Sequence, residues 1–226
     1  MPLLFLVLLA CGAAPVAPPT APGRAAVPVS APEPPAPATV RVVFLGDSLT
    51  AGLGLGADDA YPAQLARSWR AAGIPVTVVN AGVSGDTTAG GVRRLDWILG
   101  QHPDVVVVAL GANDMLRALP PGEAASNLRS IATRCREAGA DVVLVGMRAN
   151  PTLGPDYVAA FDAIYPKLAA ELGLPFVPFL LEGVAGDPTL NQADGVHPTT
   201  AGQGRLAAQV GPVVEPVVRA RLGGAR

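Results

Sequence analysis

Five short apolar runs recur along the chain without internal alternation: residues 40–45, 76–80, 105–110, 142–146 and 176–179. They are rich in Val, Leu and Phe, the composition of strands buried on both faces. Between them lie longer stretches whose apolar residues return every three or four positions. Tyr61, Leu65 and Trp69 share one helical face; Leu128, Ile131 and Cys135 share a second; Phe161, Ile164 and Leu168 share a third. Pro166 is expected to kink the third helix, and Pro212 and Pro216 to interrupt the last stretch, 199–222. Strands separated by helices build a parallel sheet covered on both sides. The pattern predicts an α/β protein: a doubly wound three-layer α/β/α sandwich on a five-stranded parallel sheet.

The residues before the first run follow another rule. MPLLFLVLLACGAAP holds an apolar run at 3–10, too short to span a bilayer as a helix but the length of a signal-peptide core. LLAC at 8–11 resembles the lipobox of bacterial lipoproteins, which makes Cys11 the expected lipidation site and 1–11 the leader. Ahead of the core only the α-amine of Met1 supplies positive charge, and the alternative is an ordinary cleaved signal. Residues 12–39 are almost all Ala, Pro and Val, a composition that cannot build a core and reads as an extended linker. The folded domain is expected over 40–226. On this reading the protein works at the bacterial cell envelope, tethered by its lipid, or is secreted.

Composition narrows the partners. The chain has 226 residues, is half hydrophobic, and carries a formal net charge of −2 with its Lys and Arg scattered. No basic stripe is present for nucleic acid to bind. Its cysteines are Cys11 and Cys135; with Cys11 lipidated or removed, no intramolecular disulfide forms. Cys135 lies on a helical apolar face and is expected to be a buried structural thiol. No Cys/His cluster has metal-ligand spacing, so neither a metal nor another cofactor is implied.

In open parallel sheets, ligands bind beyond the carboxyl ends of the strands. Gly46-Asp47-Ser48 follows the first run, Ala81-Gly82-Val83-Ser84-Gly85-Asp86 the second, and Gly111-Ala112-Asn113-Asp114 the third. The fifth leads through a longer loop to Asp194-Gly195-Val196-His197-Pro198. A serine hydroxyl needs a base to attack a carbonyl at neutral pH. His102 precedes Pro103 at the opposite edge of the sheet and reads as a solvated loop residue. His197 has Asp194 three residues earlier, a spacing that either holds a carboxylate against the imidazole or merely makes a turn.

Taken together the loops say more. G-D-S-L, G-x-S-G-D, G-A-N-D and D-G-V-H-P, in this order, resemble the motifs of the SGNH (GDSL) hydrolases. VVNAGVSGDTTAGG, AIYPKLAAELGLPFVPFLLEGV and GVHPTTAGQ are similar to the bacterial thioesterase I/lysophospholipase L1/arylesterase group. The resemblance implies a flavodoxin-like fold and a serine esterase acting on acyl esters, thioesters or lysophospholipids through an acyl-enzyme. It implies Ser48 as nucleophile, Asp194 and His197 as its partners, and Ser48, Gly85 and Asn113 as oxyanion-hole donors. It also marks residues 148–156 as a loop that touches the acyl chain. Ala112 departs from the pattern, where many relatives have a second glycine.

Bland readings stand beside these. Asp47 is expected to cap a helix rather than orient Ser48, and Asp58-Asp59 to cap the start of the next helix. Gly52-Leu53-Gly54-Leu55-Gly56 has the wrong spacing for a dinucleotide site, and Ser48 lacks the G-x-S-x-G elbow of α/β-hydrolases. Two rival functions are a carbohydrate O-deacetylase on the same fold and a lipoprotein that binds without catalysing.

Overall fold

In the computed structural model, which describes residues 39–224, the five apolar runs are five parallel strands. They are β1 (Val40–Gly46), β2 (Val76–Gly82), β3 (Val105–Ala109), β4 (Asp141–Val145) and β5 (Phe176–Val177), in spatial order β2-β1-β3-β4-β5. The predicted α/β class and flavodoxin-like sheet are therefore present. The leader, Cys11 and the Pro/Ala linker fall outside the described residues.

The helices are α1 (Ser48–Ala51), α2 (Tyr61–Ala71), α3 (Thr88–Arg93), α4 (Leu95–Leu99), α5 (Ala112–Leu116), α6 (Pro121–Glu137), α7 (Pro155–Asp162), α8 (Ile164–Leu172) and α9 (Thr200–Leu222). Helix α2 packs with α9, whereas α6 packs with both α3 and α8, as right-handed crossovers from this strand order require. β3 is buried along its whole length and β1 nearly so, while β2, at the edge, is only partly covered. The predicted apolar faces of α2, α6 and α8 are buried, and Trp69, Leu128, Ile131 and Leu168 are at most 2% exposed. Cys135 is buried among them, and burial pushes its thiol up to about 12, which leaves it an inert packing group.

Tertiary structure changed three local expectations. The 199–222 stretch is one helix despite Pro212 and Pro216. Leu206, Val210, Val214 and Val218 recur every four residues along it and all are fully buried. Burying that stripe, at about 1.5–3 kcal/mol per large side chain, outweighs the lost backbone bonds. Pro166 does more than kink: it lacks the N–H that would reach the carbonyl of Asp162, and the helix divides into α7 and α8 at Ala163. Asp58 and Asp59 do not cap α2; they lie in a separate 3-10 turn, and Ala60 precedes the helix without a side-chain cap. The buried Gln203 of α9 caps it instead, its Oε1 accepting from the N–H of Tyr61 at 2.8 Å.

Gly46 of β1 stands level with Gly82 of β2 and Ala109 of β3. Their following loops therefore open on one edge. The strand order reverses between β1 and β3, so the crevice at that switch point lies between the loops carrying Ser48 and Asn113.

Candidate active site

Ser48 is the first residue of α1, immediately beyond β1. The carboxylate of Asp47 caps that turn, accepting from the N–H of Leu49 at 3.0 Å, so Asp47 is the cap expected of it. The Oγ of Ser48 stands 3.0 Å from Nε2 of His197, and Nδ1 of His197 stands 2.6 Å from Oδ2 of Asp194. The other oxygen of Asp194 accepts from the backbone N–H groups of Val196 and His197. These bonds, the His197 N–H and ring foremost, hold the Asp194 carboxyl far below the usual carboxylate range, so it is ionised at any working pH. The loop is pinned from outside as well. Gln192 donates from its side chain to the carbonyls of Leu53 and Pro198, and from its backbone to that of His197. Three residues from two distant segments thus form one hydrogen-bonded line ending on a hydroxyl.

Donors face the same crevice. Residues 83–86 make a turn closed by the N–H of Asp86 on the carbonyl of Val83, and Gly85 occupies it at φ +79°, where a side chain would be strained. Among the described residues, the N–H groups of Gly85 and Ser48 donate to no acceptor. Asn113 sits in α5, its Nδ2 3.5 Å from Oδ2 of Asp47, which leaves its second N–H free. Such a set can activate a hydroxyl and receive the negative charge that develops on a carbonyl oxygen.

Residues 44–205 match the GDSL-like lipase/acylhydrolase family. The chain is 41% identical to the esterase TesA of Pseudomonas aeruginosa over 182 residues, 80% of this chain and 90% of that protein. It is 37% identical to thioesterase 1/protease 1/lysophospholipase L1 of Escherichia coli over 219 residues, 96% of this chain and 93% of the other. A crystal structure of TesA superposes with a TM-score of 0.75 at 42% identity, covering 78% of this chain and 99% of that one. The chain belongs to the GDSL-like lipase/acylhydrolase family. It is a hydrolase of acyl esters.

In this GDSL hydrolase, Ser48, Gly85, Asn113 and His197 all line one cavity of about 760 Å3. That volume is ordinary for a small-molecule site. Its walls are mostly apolar, among them Leu49, Leu53, Met115, Met147, Phe179 and Leu181. The loop after β4 supplies Met147 to Pro151, and Asp162 holds it by accepting from the N–H of Ala149 at 2.7 Å. Ala112 fits the GDSL scaffold without displacing Asn113: it is a helical residue lining the cavity, while the unusual conformation falls on Gly111, at φ +119°. His102 is exposed at the far end of the sheet, beside a larger groove of about 1090 Å3. Its charged groups are engaged in structural contacts: Arg221 pairs with Asp141, and Asp104 accepts from the N–H of Arg41.

Three features of this GDSL site escape motif reading. Arg94 donates to the carbonyls of Gly46 (2.8 Å) and Ala81 (2.6 Å), and pairs with Asp86 at 2.7 Å, largely out of solvent. It ties the ends of β1 and β2 to the turn carrying Gly85. Asp114, 2% exposed, accepts from both the N–H and the hydroxyl of Thr88, tying the Asn113 loop to α3. Asp47 carries the third: burial raises its carboxyl to about 6, opposed by the Leu49 N–H, His197 and Asn113. Only the acidic residues in G-x-S-G-D and G-A-N-D hinted at such ties.

Proposed function

We propose that Ser48 is the nucleophile of an acyl-enzyme mechanism, with His197 as base and then acid, and Asp194 holding and charge-balancing the imidazole. Nε2 of His197 takes the Ser48 proton as Oγ attacks the acyl carbon. The N–H groups of Ser48 and Gly85 and the amide of Asn113 receive the oxyanion, and each such donor is worth about 2.7–4 kcal/mol. The imidazolium protonates the departing alcohol or thiol; water, deprotonated by the same nitrogen, then releases the acid and restores Ser48. The observation that carries this reading is the aligned pair of contacts, 3.0 Å and 2.6 Å, opening into an apolar cavity.

The apolar walls favour a hydrocarbon acyl group over a sugar ring, which supports arylesterase, thioesterase or lysophospholipase action over glycan deacetylation. A panel of p-nitrophenyl esters with acyl-CoA, lysophospholipid and acetylated glycan tests this reading, together with fluorophosphonate labelling. Wild type should label and prefer the lipid-like acyl groups, and Ser48→Ala should neither label nor turn over. Undiminished hydrolysis by Ser48→Ala overturns the mechanism; acetate release from glycans alone overturns the substrate class.

Placement at the cell envelope is part of the same proposal. LLAC at 8–11 followed by a Pro/Ala run supports a lipid on Cys11 and a stalk to the catalytic domain. More than one acyl chain is needed for stable anchoring, and an N-terminal diacylglyceryl cysteine meets that need. Mass spectrometry of the mature N-terminus decides between a diacylglyceryl Cys11 and an unmodified chain beginning beyond it.

A further inference from the structure

The cavity has two ends of different chemistry. Along the carboxyl edge of the sheet, Gly85 follows β2, Ser48 follows β1 and Asn113 follows β3, while Met147 follows β4 and Phe179 follows β5. An acyl chain leaving Ser48 along the apolar walls therefore runs toward β4 and β5. The leaving group, on the other side of the scissile carbon, must pass the β2 end, over the Gly85 turn.

Arg117 stands outside the cavity's own lining, exposed beside the Gly85 turn that forms this end. It follows α5, yet its guanidinium reaches back so that Nη2 donates to the carbonyl of Gly85 at 2.8 Å. The same nitrogen lies 3.6 Å from where a Cβ on Gly85 would sit. The other charged groups around the mouth have counter-charges: Asp86 pairs with Arg94, Asp194 with His197, and Arg148 with Glu182. Arg117 pairs with no carboxylate among the described residues. An arginine has five donors in a rigid fork, and one carbonyl leaves most of them free.

We propose that Arg117 is a specificity-determining residue, binding a phosphate carried by the alcohol or thiol that leaves. This rests on the serine-esterase reading above and adds the class of leaving group. Planar guanidinium and phosphate oxygens match bidentately, and an ion pair at an exposed rim is screened by salt. Two sources of such phosphate are an acyl-CoA and a lysophospholipid headgroup.

Matched substrates separate recognition from chemistry. The pairs are an acyl-CoA against the same acyl-N-acetylcysteamine thioester, and a lysophosphatidylglycerol against the monoacylglycerol of equal chain. The quantity read is the ratio of kcat/KM, phosphorylated over neutral, so any common loss from disturbing the Gly85 turn cancels. Arg117→Gln should lower the ratio by about two- to fivefold for at least one pair, the scale of one exposed rim ion pair. Arg117→Glu should lower it further, Arg117→Lys should keep most of it, and the wild-type preference should shrink as salt rises. A fall in the thioester pair alone identifies the nucleotide phosphates as the ligand, and a fall in the glycerol pair alone the headgroup phosphodiester. Equal ratios in wild type and Arg117→Gln overturn the proposal, even if both rates drop together, because Arg117 then serves the Gly85 turn only. The parent reading fails differently: Ser48→Ala would hydrolyse the neutral substrates as fast as wild type.

Discussion

Replacing Asp47 by asparagine should make the protein more stable at neutral and alkaline pH, although Asp47 adjoins Ser48. An unfolded aspartate titrates near 3.8 and burial raises this one to about 6. Because the folded value is the higher, the carboxyl contributes most to stability below the unfolded pKa. That contribution is lost as pH rises through about 6, where the buried group must ionise. A rise of about two units, at roughly 1.4 kcal/mol per unit, sets the loss at about 3 kcal/mol above pH 7. Asparagine caps a helix about as well as aspartate, so the bond from the Leu49 N–H survives without the buried charge. Asp47→Asn should therefore gain between about 1 and 3 kcal/mol at pH 8. With a urea slope of about 2 kcal/mol/M, the midpoint rises by roughly 0.5–1.5 M. The gap between the two proteins should close as pH falls from 8 to 4, and urea titrations at several pH values follow it directly. Activity should move the other way. An amide at 47 presents an N–H to Nδ2 of Asn113, now 3.5 Å from the carboxylate, and favours turning the Asn113 amide round. A less stable variant at pH 8, or a gap indifferent to pH, would refute the reasoning.

Asn113→Ala should lower kcat by about 10²–10³ with little change in KM on a soluble p-nitrophenyl ester, the usual loss for one oxyanion donor; steady-state kinetics read both. Arg94→Met should cost about 3 kcal/mol of stability, since it strips Asp86 of its counter-charge and two strand-end carbonyls of their donor. The same variant should lower kcat, as the Gly85 turn loses its tie to β1; chemical denaturation and ester hydrolysis together check it.

Periodicity and loop motifs placed much of this molecule in advance, because they report short-range physics. Unbroken Val runs such as 105–108 demand a strand covered on both faces, and the apolar spacing of Tyr61, Leu65 and Trp69 demands a helix lying against it. Strand ends that turn on Gly, Ser and Asn showed which edge to search, and the structure brings Ser48, Asn113, Asp194 and His197 together there. What pattern alone did not decide were contacts between residues far apart in sequence. The continuity of α9 through two prolines depends on a buried stripe that exists only once the sheet has formed. The cap of α2 comes from Gln203, 142 positions from Tyr61, rather than from the adjacent Asp59. Arg94 looks like any surface arginine until β1 and β2 lie side by side and offer it two carbonyls. Asp47 is a cap by local rules, and only its burial, working against the pull of His197 and Asn113, raises its carboxyl to about 6. Local propensity acts over a few residues and is written in the sequence around each position; desolvation and long-range pairing arise only when the chain has closed on itself.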